Sequence, residues 1–512
     1  MTEITIAGHD LNLNNVWAVA YDNAIVHLAD TVIVKMQDSR KYIENQIKNN
    51  VTIYGVNTGF GAFASVRIST DQIKQLQLNL IRSHAVGVGD SFEPQHIRAM
   101  MLLRAATLAN AHSGVRPQVV QKILEFLNHN ITPYVPMQGS VGASGDLAPL
   151  AHIALALIGE GYCIDAQKRR IETASLLSQK NISPLVPEAK EGLSLINGCQ
   201  VMTAVGLLAL KKAIDCVKLA DCCAAMSLEG LKGSRAAFDP LISMVRPHPG
   251  ELKTASNMRR LLGQTSEIGL SHLNCDRVQD PYSLRCIPAV HGAVKDTLHF
   301  IHKTLVTEAN AVTDNPLVFH EANKILSCGN FHGMPVAFAL DYGAIALTAL
   351  GSISEQRLAK LINPAMSAGL PAFLAPAGGL NSGFMITHVV SASLVSENKV
   401  FAHPASCDSI PTSADKEDHV SMGTIAARKF DQIVRHSQWI LANEFLASAQ
   451  AIDLLRPLKS SQAIETMHAL IRKYIRFADQ DRWFGEDVEK MYSLIQSGQL
   501  LQSVEHDCPL EW

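Results

Sequence analysis

The sequence predicts a mainly α fold: a long central helical bundle with a smaller N-terminal part containing short strands. Two observations predict it. From Asp71 onward apolar residues recur at helical spacing over long stretches, whereas strand-like alternation is confined to the opening residues Ile4, Ile6, Leu11 and Leu13. Composition agrees, since 47% hydrophobic content with only 6% aromatic in 512 residues supplies a sizeable core of aliphatic side chains.

Taken in order, the opening alternation turns around Gly8-His9-Asp10 and reads as a short hairpin, followed by a helix capped near Asn14 or Asn15. Helical periodicity then covers 71–83, 97–111, 118–128, 200–231, 293–310 and 336–361, and later 384–400, 420–449, 461–476 and 486–497. Several of these stretches are too long and too apolar for a two-layer domain, which predicts parallel packing in a bundle buried on most faces. Polar loops, half of them bearing glycine, separate them at 54–61, 138–145, 279–285, 313–316, 378–383 and 411–419. No repeat period or linker-like run divides the chain. The one boundary falls near His112-Ser113-Gly114. It gives 1–112 as the N-terminal part with the short strands and the Tyr54 loop, and 113–512 as the helical core with the Ala143-Ser144-Gly145 loop.

The composition also narrows the function classes. A net charge of −3 carries no basic excess for binding nucleic acid, so small-molecule chemistry is the expectation. The apolar runs at 201–210 and 336–350 are interrupted by Lys211, Lys212 or Asp341, which argues against a membrane span. The first residues, Met1-Thr2-Glu3-Ile4-Thr5-Ile6, have neither the charged nor the apolar region of a secretion signal, so the cytoplasm is expected. Ten scattered cysteines, two of them adjacent at Cys222-Cys223, suit reduced thiols. Cys275 and Cys286 lack the spacing and histidine partners of a zinc site, and His-Glu-x-x-His is absent, so no metal is expected.

The run GSVGASGDLAPL at 139–150 carries the most chemistry. If the Gly145 amide nitrogen attacks the Ala143 carbonyl carbon and two waters leave, the backbone closes to a five-membered imidazolone and Ser144 becomes an exocyclic methylidene, an electrophile that no ordinary side chain provides. The residue types suit that closure: Gly145 has no Cβ and tolerates the bend, Ala143 is small, and Ser144 has a hydroxyl to lose. The plain alternative is a flexible turn before a helix, with Ser144 or Asp146 as its cap. A serine-hydrolase elbow needs Gly-x-Ser-x-Gly, which Gly142-Ala143-Ser144-Gly145 does not supply.

Taken whole, this run resembles the prosthetic-group loop of the aromatic amino acid ammonia-lyase and aminomutase family, and further matches extend from Tyr54 to Gly423 and into Arg456-Pro457-Leu458-Lys459. The resemblance implies roles. In YGVNTGFG at 54–61, Tyr54 is implied as the catalytic base; the run lacks the Gly-Lys-Ser/Thr of a phosphate cradle. A phenol with a pKa near ~10 then needs surrounding dipoles or positive charge to serve at neutral pH. His84, which alone would read as a helix-end dipole partner, is implied to face the substrate ring. Asn197, otherwise a helix cap, is implied to hydrogen-bond the imidazolone.

In QDPYSLRC at 279–286, Arg285 is suited to a bidentate grip on a carboxylate, with Gln279 and the catalytic Tyr282 orienting the amine and prosthetic group. Phe331 and Met385 match pocket positions. Glu417, which alone would be a solvated charge, stands where members acting on phenylalanine or tyrosine usually have Gln, and a carboxylate pairs with an imidazole nitrogen that a benzene ring does not offer. Asp415-Lys416 and Cys199 depart from the family pattern without touching these residues.

The implied activity is elimination of ammonia from L-histidine to give trans-urocanate, the first step of histidine degradation. A tyrosine or phenylalanine lyase, or an aromatic 2,3-aminomutase, is the alternative on the same scaffold. The resemblance further implies a self-made methylidene-imidazolone with no metal or diffusible cofactor, and a homotetramer whose sites combine loops of three subunits.

Overall fold

The computed structural model describes residues 2–512, and among them twenty α-helices and nine short strands. The mainly α expectation holds. Four helices, Gln200–Gly230, Ile287–Ala309, Met334–Ile362 and Gly423–Leu454, run 31, 23, 29 and 32 residues. Ile287–Ala309 and Met334–Ile362 begin a few residues earlier than the periodicity indicated, because each first turn opens on small or proline residues that dilute the pattern.

The chain divides into two compact units. The first comprises Met1–Ala209, His302–Asp341 and Pro404–Arg428; the second comprises Leu210–Ile301, Tyr342–His403 and Lys429–Trp512. The four long helices contribute residues to both.

In the first unit the expected hairpin is not formed. Strand Glu3–Ile6 pairs in parallel with Ile25–Leu28, and helix Leu13–Tyr21 makes the crossover. Leu13 is a buried helical residue because Asn12, rather than Asn14 or Asn15, builds a reciprocal capping box with Asn15. The alternation of Leu11 and Leu13 was therefore the entry to a helix. Helix Pro94–Ala109 is buried almost throughout, and Arg98 within it is satisfied by the Val19 and Leu127 carbonyls and by Asn130.

The second unit is stapled by buried ions. Asp221 accepts from Lys295 Nζ and Asn257 Nδ2, each at 2.7 Å, and pairs with His291 Nδ1 at 2.7 Å. Arg357 forks onto Glu444 at 2.6 and 2.9 Å, with both side chains inaccessible. Such pairs are costly to break singly, because the survivor is left charged and dry.

Asp341 does not interrupt the apolar run as the sequence suggested. Met334–Ile362 is long and apolar enough to cross a membrane by length and composition, despite Asp341. Asp341 is buried in the fold, accepting from Ser406 N at 2.8 Å. Just over half of the apolar window, 56%, is buried inside the fold, as expected of a core helix.

Candidate active site

A cavity of about 800 Å³ opens in the first unit, and its walls include Tyr54, His84, Ser144, Asn197, Phe331 and Glu417. Six of the expected residues, distant in sequence, thus meet at one place.

Ser144 sits on a loop whose bends are enforced by backbone. Gly145 has φ +72°, and a Cβ there would lie 2.2 Å from the Gly198 carbonyl oxygen. Only glycine fits. The close approach is a bridge between Gly145 and Gly198, continued by Asp146 N donating to Gly198 O at 2.8 Å. On the other side Met422 N donates to Val141 O at 2.9 Å, and Ala143 packs on Val420 and Met422. Asp146 does not cap the helix Leu147–Leu157 that it precedes. Its carboxyl instead accepts from the main-chain N–H groups of Val201 and Met202, at 2.9 and 3.0 Å, and from Thr424 Oγ1. Burial pushes this carboxyl up to about 6, against those donors.

Ser144 Oγ donates to Glu417 Oε1 at 3.1 Å, while Thr412 Oγ1 donates to Glu417 Oε2 at 2.7 Å. Between Thr412 and Glu417 the chain passes through three successive left-handed residues, Ser413, Ala414 and Asp415, a tight turn that returns Glu417 toward the loop.

Tyr54 is presented by a turn that Asn57 ties down, accepting from Ile53 N and donating to Val51 O, each at 2.8 Å. Gly61 N donates to the Tyr54 hydroxyl oxygen at 3.3 Å, so a main-chain dipole does face it. His84 ends helix Ile73–His84 with Nδ1 2.8 Å from Leu80 O. A carbonyl only accepts, so Nδ1 carries the proton. Burial holds the imidazole below its usual range, against the Leu80 carbonyl and Glu417.

Asn197 is fixed at both ends: Arg104 Nη1 donates to its carbonyl at 2.7 Å, and its Nδ2 donates to Asp314 Oδ1 at 3.1 Å. Asp314 Oδ2 accepts from Lys190 Nζ at 2.8 Å and Ser194 Oγ at 2.9 Å. Burial drives the Asp314 carboxyl up, but Lys190 and Arg104 outweigh it and hold it down to about 2. Residues 313–316 stood out in the sequence only as a polar loop; that Asp314 meets Lys190 and Arg104 is a tertiary fact without a local signature.

Gln279, Tyr282, Arg285 and Met385 belong to the second unit and do not line this cavity within the chain. Tyr282 is 70% exposed, and the Arg285 guanidinium lies over its ring at 4.5 Å. Gln279 is exposed, and Met385 opens helix Met385–Phe401.

The tripeptide fits the prosthetic group that the sequence implied. Gly145 is already in a left-handed bend whose close approach to Gly198 leaves no room for a Cβ, Ala143 is small and enclosed, and the Ser144 hydroxyl faces the cavity wall at Glu417.

Comparison with known proteins places the chain and its fold in one class. The family model for aromatic amino acid lyases matches residues 11–473, and the chain belongs to that family. Among its relatives, the histidine ammonia-lyase of Koribacter versatilis is 49% identical over 98% of this chain and 99% of that protein. That of Myxococcus xanthus is 47% identical over 98% of each. Of the solved structures, histidine ammonia-lyase from Trypanosoma cruzi superposes with TM-score 0.92 at 41% identity, covering 99% of this chain and 95% of that one. Tyrosine aminomutase from Streptomyces globisporus superposes with TM-score 0.94 at 36% identity over the whole of both chains.

Proposed function

We infer that the protein is a carbon–nitrogen lyase that eliminates ammonia from L-histidine, giving trans-urocanate. The single observation that carries this reading is Glu417 at hydrogen-bond distance from Ser144 Oγ, 3.1 Å, inside the cavity that also holds Tyr54 and His84. A carboxylate at the reactive serine suits a ring with an N–H to donate. Relatives named as histidine ammonia-lyases, 43 to 50% identical over most of the chain, support it.

The difficulty of the reaction is a β-proton that is barely acidic and an amine that leaves poorly. Formed from Ala143-Ser144-Gly145, a methylidene-imidazolone would supply the electrophilic carbon that makes an amine a better leaving group. Asn197 is the residue that would hold it. Tyr54 is assigned to take the β-proton. Glu417 and His84 hold the imidazole, with Phe331 in the same wall. Arg285 is assigned to the substrate carboxylate, and Gln279, Tyr282 and Met385 to its surroundings. Because these four residues lie outside the cavity of their own chain, the reading includes a homotetramer in which another subunit brings them. Ten cysteines without a disulfide support a reducing, cytoplasmic setting.

The aminomutase reading draws on the TM-score of 0.94 to tyrosine aminomutase. Appearance of urocanate absorbance on adding L-histidine, with the product identified by mass, tests both. A β-amino acid product, or no reaction with histidine, overturns the lyase assignment.

A further inference from the structure

The loop at 313–316 is not used by the reaction as described, yet it holds one of the most heavily charged buried clusters of the first unit. Asp314, Lys190 and Arg104 are all inaccessible to solvent. Burying them is expensive, and Arg104 keeps Nε and Nη2 without partners, so general satisfaction of charge does not explain its place. What the cluster does is grip Asn197: Asp314 takes its side-chain amide and Arg104 its main-chain carbonyl. Thr313 adds a third hold, accepting from Cys199 N at 3.4 Å and Gln200 Nε2 at 2.7 Å. The residue so immobilised between them is Gly198, whose backbone is the surface against which Gly145 is bent.

We propose that Asp314, clamped by Lys190 and Arg104, is a positioning residue for the self-processing of Ala143-Ser144-Gly145, holding Gly198 rigid so that Gly145 is pressed toward the Ala143 carbonyl. The proposal rests on the self-processing reading above. In that step a bond forms between Gly145 N and Ala143 C. The Ala143 oxygen leaves as water with the Gly145 and Ser144 amide hydrogens, leaving a C=N bond between Ala143 C and Ser144 N. Ser144 then loses its hydroxyl with its Cα hydrogen as the second water. No oxidant or other reagent is required. What the closure needs is a main chain held bent, and a main chain is held only as firmly as its support.

Intact-mass measurement of the purified full-length protein reads the outcome. Wild type is expected to lack two waters relative to its sequence; were it to carry the full sequence mass, the self-processing reading would fall and this proposal with it. Asp314→Asn keeps the shape and removes the charge. The pair Asp314→Asn with Lys190→Met removes the whole ion pair, so that Lys190 is not left unpaired and Arg104 is the one charge of the cluster that stays buried. Both are expected to accumulate with the two waters retained in most molecules.

The control is Asp221→Asn with Lys295→Met, which deletes an equally buried pair in the second unit and is expected to be processed in full, even if less heat-stable. A folded Asp314 variant with the complete deficit overturns the proposal. If neither Asp314 variant accumulates folded, Ser194→Ala, which removes one neutral donor to Asp314, carries the test through rate. The deficit is then expected to develop more slowly than in wild type during cell-free synthesis, and a wild-type rate overturns the proposal.

Discussion

Replacing Glu417 by Gln separates charge from shape at the position that carries the functional reading. The carboxylate accepts from Thr412 Oγ1 at 2.7 Å and from Ser144 Oγ at 3.1 Å. In the processed enzyme the second donor is gone, and Oε1 is left for the substrate ring. Gln can keep its carbonyl toward the ring, with its amide toward Thr412, whose hydroxyl reverses from donor to acceptor. The fold then loses little.

The ring loses a charge-assisted hydrogen bond and gains a neutral one, a difference of about 1–1.5 kcal/mol, and in the opposite amide orientation an N–H is left facing an N–H, which adds about 1–3 kcal/mol. The two orientations bracket the loss at about 1–4 kcal/mol, or roughly five- to several-hundred-fold in kcat/KM for histidine, at about tenfold per 1.4 kcal/mol. Steady-state kinetics on histidine, tyrosine and phenylalanine, with thermal unfolding alongside, measures it. The ratio of histidine to tyrosine turnover should fall by the same factor while the unfolding temperature stays put. A Glu417→Gln enzyme within twofold of wild type on histidine would refute the reasoning, as would a wild type that prefers tyrosine or phenylalanine.

Other expectations follow from the same geometry. Ser144→Ala should abolish both the two-water deficit and nearly all turnover, read by intact mass and urocanate absorbance. Gly145→Ala places a methyl 2.2 Å from the Gly198 oxygen at φ +72°, so processing should fail and stability should drop by about 2–4 kcal/mol in a denaturant titration. Tyr54→Phe and Arg285→Ala, each inactive alone, should regain activity when co-assembled; an active monomer by light scattering would contradict this.

Burial pushes the Glu308 carboxyl up to about 7, against a hydrogen bond to Cys199. The folded state therefore keeps a proton that the unfolded chain releases above its lower, ordinary value, and stability should fall as pH rises from about 4.5 to 7, by at most about 3 kcal/mol. Glu308→Gln should flatten that slope in thermal unfolding across this range.

The elements most legible in the sequence were those whose periodicity is undiluted. Gln200–Gly230 was placed to within a residue at each end because its length and apolar content admit nothing else. Helix Asp30–Lys48 went unread, since Val32, Met36 and Ile43 are its only buried large apolar side chains among many charges. The opening hairpin failed because period-2 alternation across Leu11 and Leu13 is indistinguishable from the first turn of a helix until the Asn12 box is recognised. At the site, motif strings named the residues that meet around Ser144, because reactive groups have demanding chemistry. The support beneath them did not announce itself: Arg104, Lys190 and Asp314 are individually ordinary, and only their convergence gives them meaning.

Asp146 shows what such convergence costs in autonomy. Its position is that of a local cap, but its side chain serves the start of a helix that begins fifty-odd residues later, at Gln200. A peptide containing only the reactive run has no reason to bend as the whole chain does, and grafting that run onto a foreign turn would carry over the reagents without the vice. Ring closure that depends on this anchor has to wait until distant segments have found one another. On the proposed self-processing, the two lost waters would be a covalent record, readable long after synthesis, that a given molecule once attained its native topology.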